Sequence, residues 1–185
     1  MQGVLDTLIT ITSLTVIGFY TWSLKNHFTS AAMTWRARLI SAAVILTTLL
    51  FLYLQWTGTQ LLWVQAVGLI IEIAAAALFW WAIWASRQAR LRFAFDPALP
   101  HGIVSDGPYR YLRHPFYSSY LMFWSGWALA SWSSIWSPVP VIFFAIVYIA
   151  AAKMEERNFE TSQLADEYRE YKRRTGFFIP RIGRD

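Results

Sequence analysis

Five apolar runs, Val4–Leu24, Leu39–Trp56, Leu61–Ala85, Phe116–Trp132 and Pro138–Ala152, divide the chain, and its polar positions gather between and after them. The first three approach the ~20 residues that a helix needs to cross hydrocarbon. The last two are shorter, and tilt or stop partway. A soluble bundle would carry polar stripes at helical spacing, and Leu69–Trp84 has none apart from Glu72. The pattern predicts an all-α integral membrane protein with about five transmembrane helices in a single domain over 1–185. Residues 1–85 hold three N-terminal spans; 86–185 hold a polar connector, the last two spans and a C-terminal helix. That last helix is expected from Lys153–Arg174, which lacks Gly and Pro and sets Leu164, Tyr168 and Tyr171 at i, i+4 and i+7 against Asp166, Glu170 and Arg173. It is amphipathic, with Glu170 and Arg174 as an i,i+4 pair, and lies on the membrane surface or folds back over the connector.

Composition agrees: 56% of residues are hydrophobic and 15% charged, against a quarter charged in ordinary soluble domains. The placement of charge adds direction. Lys25, Arg36 and Arg38 follow the first run, Arg87, Arg90, Arg92, Arg110 and Arg113 follow the third, and every other Lys or Arg lies from Lys153 onward. None precedes the first run or falls in Thr57–Gln60 or Ser133–Ser137. Basic residues collect on the cytoplasmic side, so the N-terminus is expected outside and the C-terminus inside. Met1–Leu5 lacks the basic segment of a cleaved signal peptide, so the first run is expected to remain as a span. The net charge of +5 fits anionic lipid headgroups rather than nucleic acid, for which no recognition motif is present. With no cysteine, disulfides, thiolate metal sites and a cysteine nucleophile are excluded. His27, His101 and His114 are too scattered for a metal-ligand pattern, and no metal is expected.

Candidate chemistry concentrates in two places. The connector Ser86–Arg113 contains FDPALPHGIVSDGPYR, where Pro97, Pro100 and Pro108 with Gly102 and Gly107 impose turns and extended backbone. Pro115 disfavours α geometry at His114 and suits a first helical turn, so the fourth span is expected to begin there with His114 just outside. A helix start flanked by Arg113 and His114 attracts carboxylate or phosphate. Tyr117, Tyr120 and Trp124 follow at i, i+3 and i+7 as an aromatic wall, suiting an anionic group above and an apolar or cationic one below. The second place is Glu155–Glu156, directly after the last run. These carboxylates bind an ammonium, accept from a ribose or orient an acceptor, or else mark where the helix leaves the membrane. Glu72, an ionisable group inside a span, is a functional candidate by default; its distance from the connector favours a structural hydrogen bond.

The stretches HGIVSDGPYRYLRHPFY at 101–117, EER at 155–157, DEYREYKRR at 166–174 and IP at 179–180 together resemble the isoprenylcysteine carboxyl methyltransferase family. These integral-membrane methyltransferases include phospholipid methyltransferase relatives. The resemblance covers roughly the last 85 residues, with Thr175-Gly176 standing where the family commonly has Val-Pro. It implies S-adenosyl-L-methionine bound on the cytosolic side, under the connector and the C-terminal helix, with a lipophilic acceptor entering between helices. Carried over position by position, the cofactor contacts are His101, Gly102, Ile103, Val104, Tyr109, His114, Pro115, Tyr117 and Glu155 or Glu156, with Arg113 added from its charge at the helix start. Glu155 and Glu156 are the catalytic candidates, since an amine or phenol acceptor must lose a proton whereas a carboxylate need not. Two other readings stay open: a relative of the NADPH-dependent membrane sterol reductases, and a non-catalytic lipid- or partner-binding membrane protein.

Overall fold

A computed structural model describes residues 1–28, 35–89, 91, 102–133 and 135–182. The described secondary structure is helical: α1 (Gln2–Asn26), α2 (Trp35–Thr57), α3 (Leu62–Ser86), a 3-10 turn at Gly107–Arg110, α4 (Pro115–Ala130), α5 (Val139–Glu160) and α6 (Ala165–Arg174). The five apolar runs fall in α1 to α5. Of these, α1, α2 and α3 are long and apolar enough to cross a membrane. At 1.5 Å per residue the 16 residues of α4 span about 24 Å, short of a ~30 Å hydrocarbon layer.

A seven-residue ladder ties α1 to α3. Gln65 Nε2 donates to Asp6 Oδ1 at 2.6 Å, Ser13 Oγ donates to Glu72 Oε2 at 2.8 Å, Tyr20 and Phe79 meet edge to face at 4.9 Å, and His27 Nε2 lies 3.0 Å from Ser86 Oγ. Partners differ by 59 positions at every rung (65 − 6, 72 − 13, 79 − 20, 86 − 27), so the two helices run parallel. A strict seven-residue seam is the repeat of a left-handed crossing, and polar rungs in an apolar seam fix its register. Glu72 is thus a structural partner of Ser13. α2 runs the other way, anchored where Gln55 Nε2 donates to the Asp6 carbonyl at 2.7 Å and Trp127 Nε1 donates to Gln55 Oε1 at 2.9 Å.

The centre of the bundle is α4, with Phe123, Trp124, Trp127 and Ala130 at or below 2% exposure. It crosses α3 at Gly68 and Gly126, where a Cβ on Gly68 would lie 2.5 Å from the Gly126 carbonyl oxygen. Against α5 it forms a column of near-parallel rings: Trp127 on Trp124 at 6.1 Å, Trp124 on Phe144 at 4.8 Å, Phe144 on Tyr148 at 5.6 Å and Tyr148 on Tyr117 at 5.4 Å. The column climbs toward His114.

The C-terminal region departs from the continuous helix expected over Lys153–Arg174. α5 stops at Glu160 because Thr161 and Ser162 turn back on it: Thr161 Oγ1 donates to the Arg157 carbonyl at 3.0 Å and Ser162 Oγ to that of Phe159 at 2.8 Å. Leu164 becomes the residue before α6 rather than part of its apolar face. Glu170 pairs with Arg173, not Arg174. α6 buries Tyr168 and Tyr171 and stacks Tyr168 on Phe159 at 4.5 Å. The chain then doubles back as a strap: Gly176 N donates to the Tyr111 carbonyl at 2.9 Å and Arg113 N to that of Gly176 at 2.8 Å, a parallel bridge between Leu112 and Gly176. A Cβ on Gly176 would fall 1.8 Å from the Ile179 carbonyl oxygen, so this turn requires glycine.

Candidate active site

α4 begins at Pro115 with His114 as its preceding residue, as the proline rule requires. The local frame is set by Gly107, whose φ of +57° suits a residue without a side chain and lets the turn sit against Ala85 and Trp81 at the end of α3. From there the 3-10 turn delivers Tyr109 to the interior, where its carbonyl accepts from Tyr171 Oη at 2.8 Å.

One cavity of about 1080 Å³ gathers most of the expected residues. Gly102, Ile103, Val104, Tyr109, His114, Pro115, Tyr117 and Glu155 all line it. His101 lies outside the described residues. Arg113 and Glu156 do not line the cavity. They face the other way and bind each other, Arg113 Nε donating to Glu156 Oε1 at 2.7 Å. His114 and Glu155 occupy the end of the cavity near the connector. The other end runs between α1, α2, α4 and α5 and is walled by Ile17, Ile40, Val44, Ile45, Leu49 and Trp124. The volume lies just above the ~300–1,000 Å³ range of small-molecule sites.

The two adjacent carboxylates therefore have different surroundings. Glu155 faces the cavity, accepts from the Tyr117 hydroxyl and lies 3.6 Å from His114 Nδ1. Glu156 sits behind, held by Arg113, by Lys172 Nζ at 2.9 Å and by His114 Nε2 at 3.4 Å. Burial works against its charged form, but hydrogen bonds from His114, Lys172 and Arg113 outweigh it and hold the carboxyl well below the usual range. His114 is 8% exposed. Burial disfavours its charged form, yet the flanking Glu155 and Glu156 raise it above an ordinary histidine. The strap covers this ring from outside: Phe177 packs edge-on at 5.1 Å, Phe178 at 5.9 Å, and Ser118 Oγ fastens the Phe178 carbonyl at 2.8 Å.

The profile described as phospholipid methyltransferase matches residues 63–165, from the start of α3 to the start of α6 and more than half of the chain. The chain belongs to the phospholipid methyltransferase family. Among individual relatives, the cobalt-zinc-cadmium resistance protein CzcN of Cupriavidus metallidurans is 28% identical over 80% of this chain and 62% of its own length. The nickel-cobalt-cadmium resistance protein NccN of Alcaligenes xylosoxydans xylosoxydans is 27% identical over 80% of this chain and 63% of its own. A methanethiol S-methyltransferase of Mycobacterium tuberculosis is 29% identical over 71% of this chain and 59% of its own. The chain thus spans about three-fifths of the length of these relatives. The family profile covers His114, Tyr117, Glu155 and Glu156 but ends before the strap.

Several lining residues were not singled out from the sequence: Tyr20, Lys25, Tyr148, Asn158 and Phe159. A signal for three of them was present. Tyr148, Asn158 and Phe159 lie at −7, +3 and +4 from Glu155, the face of α5 that Glu155 itself occupies. Phe177 and Phe178 carried no such signal, because only the strap's return places them on His114.

Proposed function

We propose that this protein is an S-adenosyl-L-methionine-dependent methyltransferase of the membrane, with its cavity opening at the cytosolic face and a neutral, membrane-partitioned acceptor entering its apolar end. In this reading all five apolar helices lie in the bilayer, the N-terminus is outside, and the basic ends of α1, α3 and α5 face the cytosol. The observation that carries the proposal is the sharing of one cavity by Gly102–Val104, Tyr109, His114, Tyr117 and Glu155, continuous with an apolar wall from α1 and α2.

The residues present fit such a donor. Its amino-acid end carries an ammonium and a carboxylate, and Glu155 beside a charged His114 presents the complementary pair. Tyr117, Tyr120, Tyr148 and Trp124 line the wall below, where aromatic faces hold a cationic sulfonium at ~0.5–2 kcal/mol. Bound there, the donor supplies an electrophilic methyl group. The chain's part is to orient the two ligands and keep water out, which the ring column and the strap accomplish. Glu156 makes a poor base, since three cations hold its proton affinity down. With Glu155 engaged by the ammonium, an acceptor that needs no strong base, such as a thiol that gives up its proton to water while its sulfur takes the methyl group, fits better than one that must be deprotonated by the chain. The methanethiol enzyme among the relatives is consistent with a sulfur acceptor.

The test is a thermal-shift comparison in detergent. S-Adenosylhomocysteine should raise the melting temperature and NADPH should not; a shift with NADPH alone would favour the reductase reading, and no shift with either a binding protein. Methyl-labelled donor added to membranes, followed by separate counting of lipid, protein and small-molecule fractions, identifies the acceptor class.

A further inference from the structure

Two carboxylates adjacent in sequence on a helix point about 100° apart, so they serve one ligand only with difficulty. Here they grip opposite edges of one imidazole: Glu155 Oε2 lies 3.6 Å from Nδ1 and Glu156 Oε1 lies 3.4 Å from Nε2. We infer that Glu156 is a positioning residue that acts through His114, holding the ring charged and keeping its Nδ1 edge turned toward the cavity.

The groups around His114 can be enumerated. From α5 come Glu155 and Glu156; from α6 come Lys172, bound to the far oxygen of Glu156, and Tyr168, whose hydroxyl faces the same carboxylate; from the preceding residue comes Arg113, bound to the near oxygen. Tyr117 of α4 faces the ring at 5.8 Å, and the strap contributes only the uncharged Phe177 and Phe178. With the ring protonated, His114, Arg113 and Lys172 face Glu155, Glu156 and Glu160, three charges against three. Glu156 is 9% exposed on its side chain and lines no part of the cavity, so its effect on a ligand passes through the ring. The assignment of a ligand to that edge rests on the methyltransferase reading; the state of the ring does not.

The experiment therefore has two arms. In the first, the protein is labelled with ¹⁵N-histidine in micelles and the three histidines are assigned by substitution. Wild-type His114 should titrate above the ~6.5 of an ordinary histidine, and Glu156→Gln should lower its midpoint by about one unit or more. Lys172→Met, which loosens α6 but keeps the Glu156–His114 contact, should not lower it, whereas a merely structural Glu156 would make the two variants alike. In the second arm, S-adenosylhomocysteine is titrated by calorimetry from pH 6 to pH 8. Wild-type affinity should fall less over this range than that of Glu156→Gln, whose ring, returned to an ordinary ~6.5, should bind about 25-fold more weakly at pH 8 than at pH 6. Should Glu156→Gln not fold, Glu156→Asp keeps the charge but retracts it, and should still lower the midpoint by about half a unit. An unmoved His114 midpoint in the folded variant overturns the inference. A wild-type protein that binds no S-adenosylhomocysteine overturns the reading of the cavity, while the ring titration still decides Glu156.

Discussion

Replacing Gly68 by alanine tests the α3–α4 crossing on which the site is built. A Cβ at this position would lie 2.5 Å from the Gly126 carbonyl oxygen, 2.7 Å from Ala130 Cβ and 2.8 Å from Ala130 N. Two of the three obstacles are backbone, which cannot swing aside, so the helices must part by most of an ångström. Overpacking of this kind costs roughly 1–3 kcal/mol, offset by about 1 kcal/mol because alanine favours helix over glycine. Gly18→Ala in α1 separates the two terms, because nothing lies within 4 Å of its Cβ and only the helix gain remains. The difference between the variants is therefore the clash alone. At about 2 kcal/mol, and about 3 °C per kcal/mol for a chain of this size, Gly68→Ala should melt about 6 °C below Gly18→Ala. Thermal unfolding of both in one detergent, followed by circular dichroism, makes the comparison. Equal melting temperatures would show that α3 and α4 do not cross at these glycines.

Three other outcomes follow from the geometry. Ser13→Ala should destabilise by about 0.6 kcal/mol, the usual worth of one interhelical hydrogen bond in a membrane, and Glu72→Leu should add little once Ser13 is gone; a double-mutant cycle checks this. Stability should depend on pH with two signs. His114, raised on folding, contributes fully below pH 6.5 and loses its contribution as pH rises through the raised value; Glu156, lowered on folding, contributes fully above about 4.5 and loses its contribution progressively as pH falls from there toward the lowered value. Melting temperatures across pH 5–9 should therefore fall on the alkaline side, and a flat profile there contradicts the charged His114. Val44→Trp should fill the apolar end of the cavity, slowing methyl transfer to any acceptor while leaving S-adenosylhomocysteine affinity within about twofold.

How much of this was legible in the sequence depended on how local the cause was. The start of α4 at Pro115 and the non-helical backbone before it follow from proline chemistry within three residues. The apolar runs placed α1 to α5 to within a few residues at most ends, because hydropathy is a property of the run itself. The stop at Thr161–Leu164 was hidden, since neither glycine nor proline marks it and the Thr161 and Ser162 hydroxyls that end α5 are tolerated in many helices. The choice between Glu155 and Glu156 could not be made from spacing: it depends on the rotation of α5, which Tyr148 and Phe144 set by stacking against α4. The polar ladder was present as Asp6, Ser13 and His27 at steps of seven and fourteen, with Gln65, Glu72 and Ser86 at the same steps on another helix. Its meaning needed the constant offset of 59 between them. Thr175-Gly176, a departure from the family's usual pair, is the turn that brings the strap onto Leu112.

Calorimetric titration of S-adenosylhomocysteine into detergent-solubilised wild-type protein and Glu155→Gln addresses the central claim most directly. The account predicts one binding site per chain in the wild type and at least about tenfold weaker binding in the variant, the cost of a charge-assisted contact. Equal affinities for the two proteins, or heat of binding from neither, would contradict it.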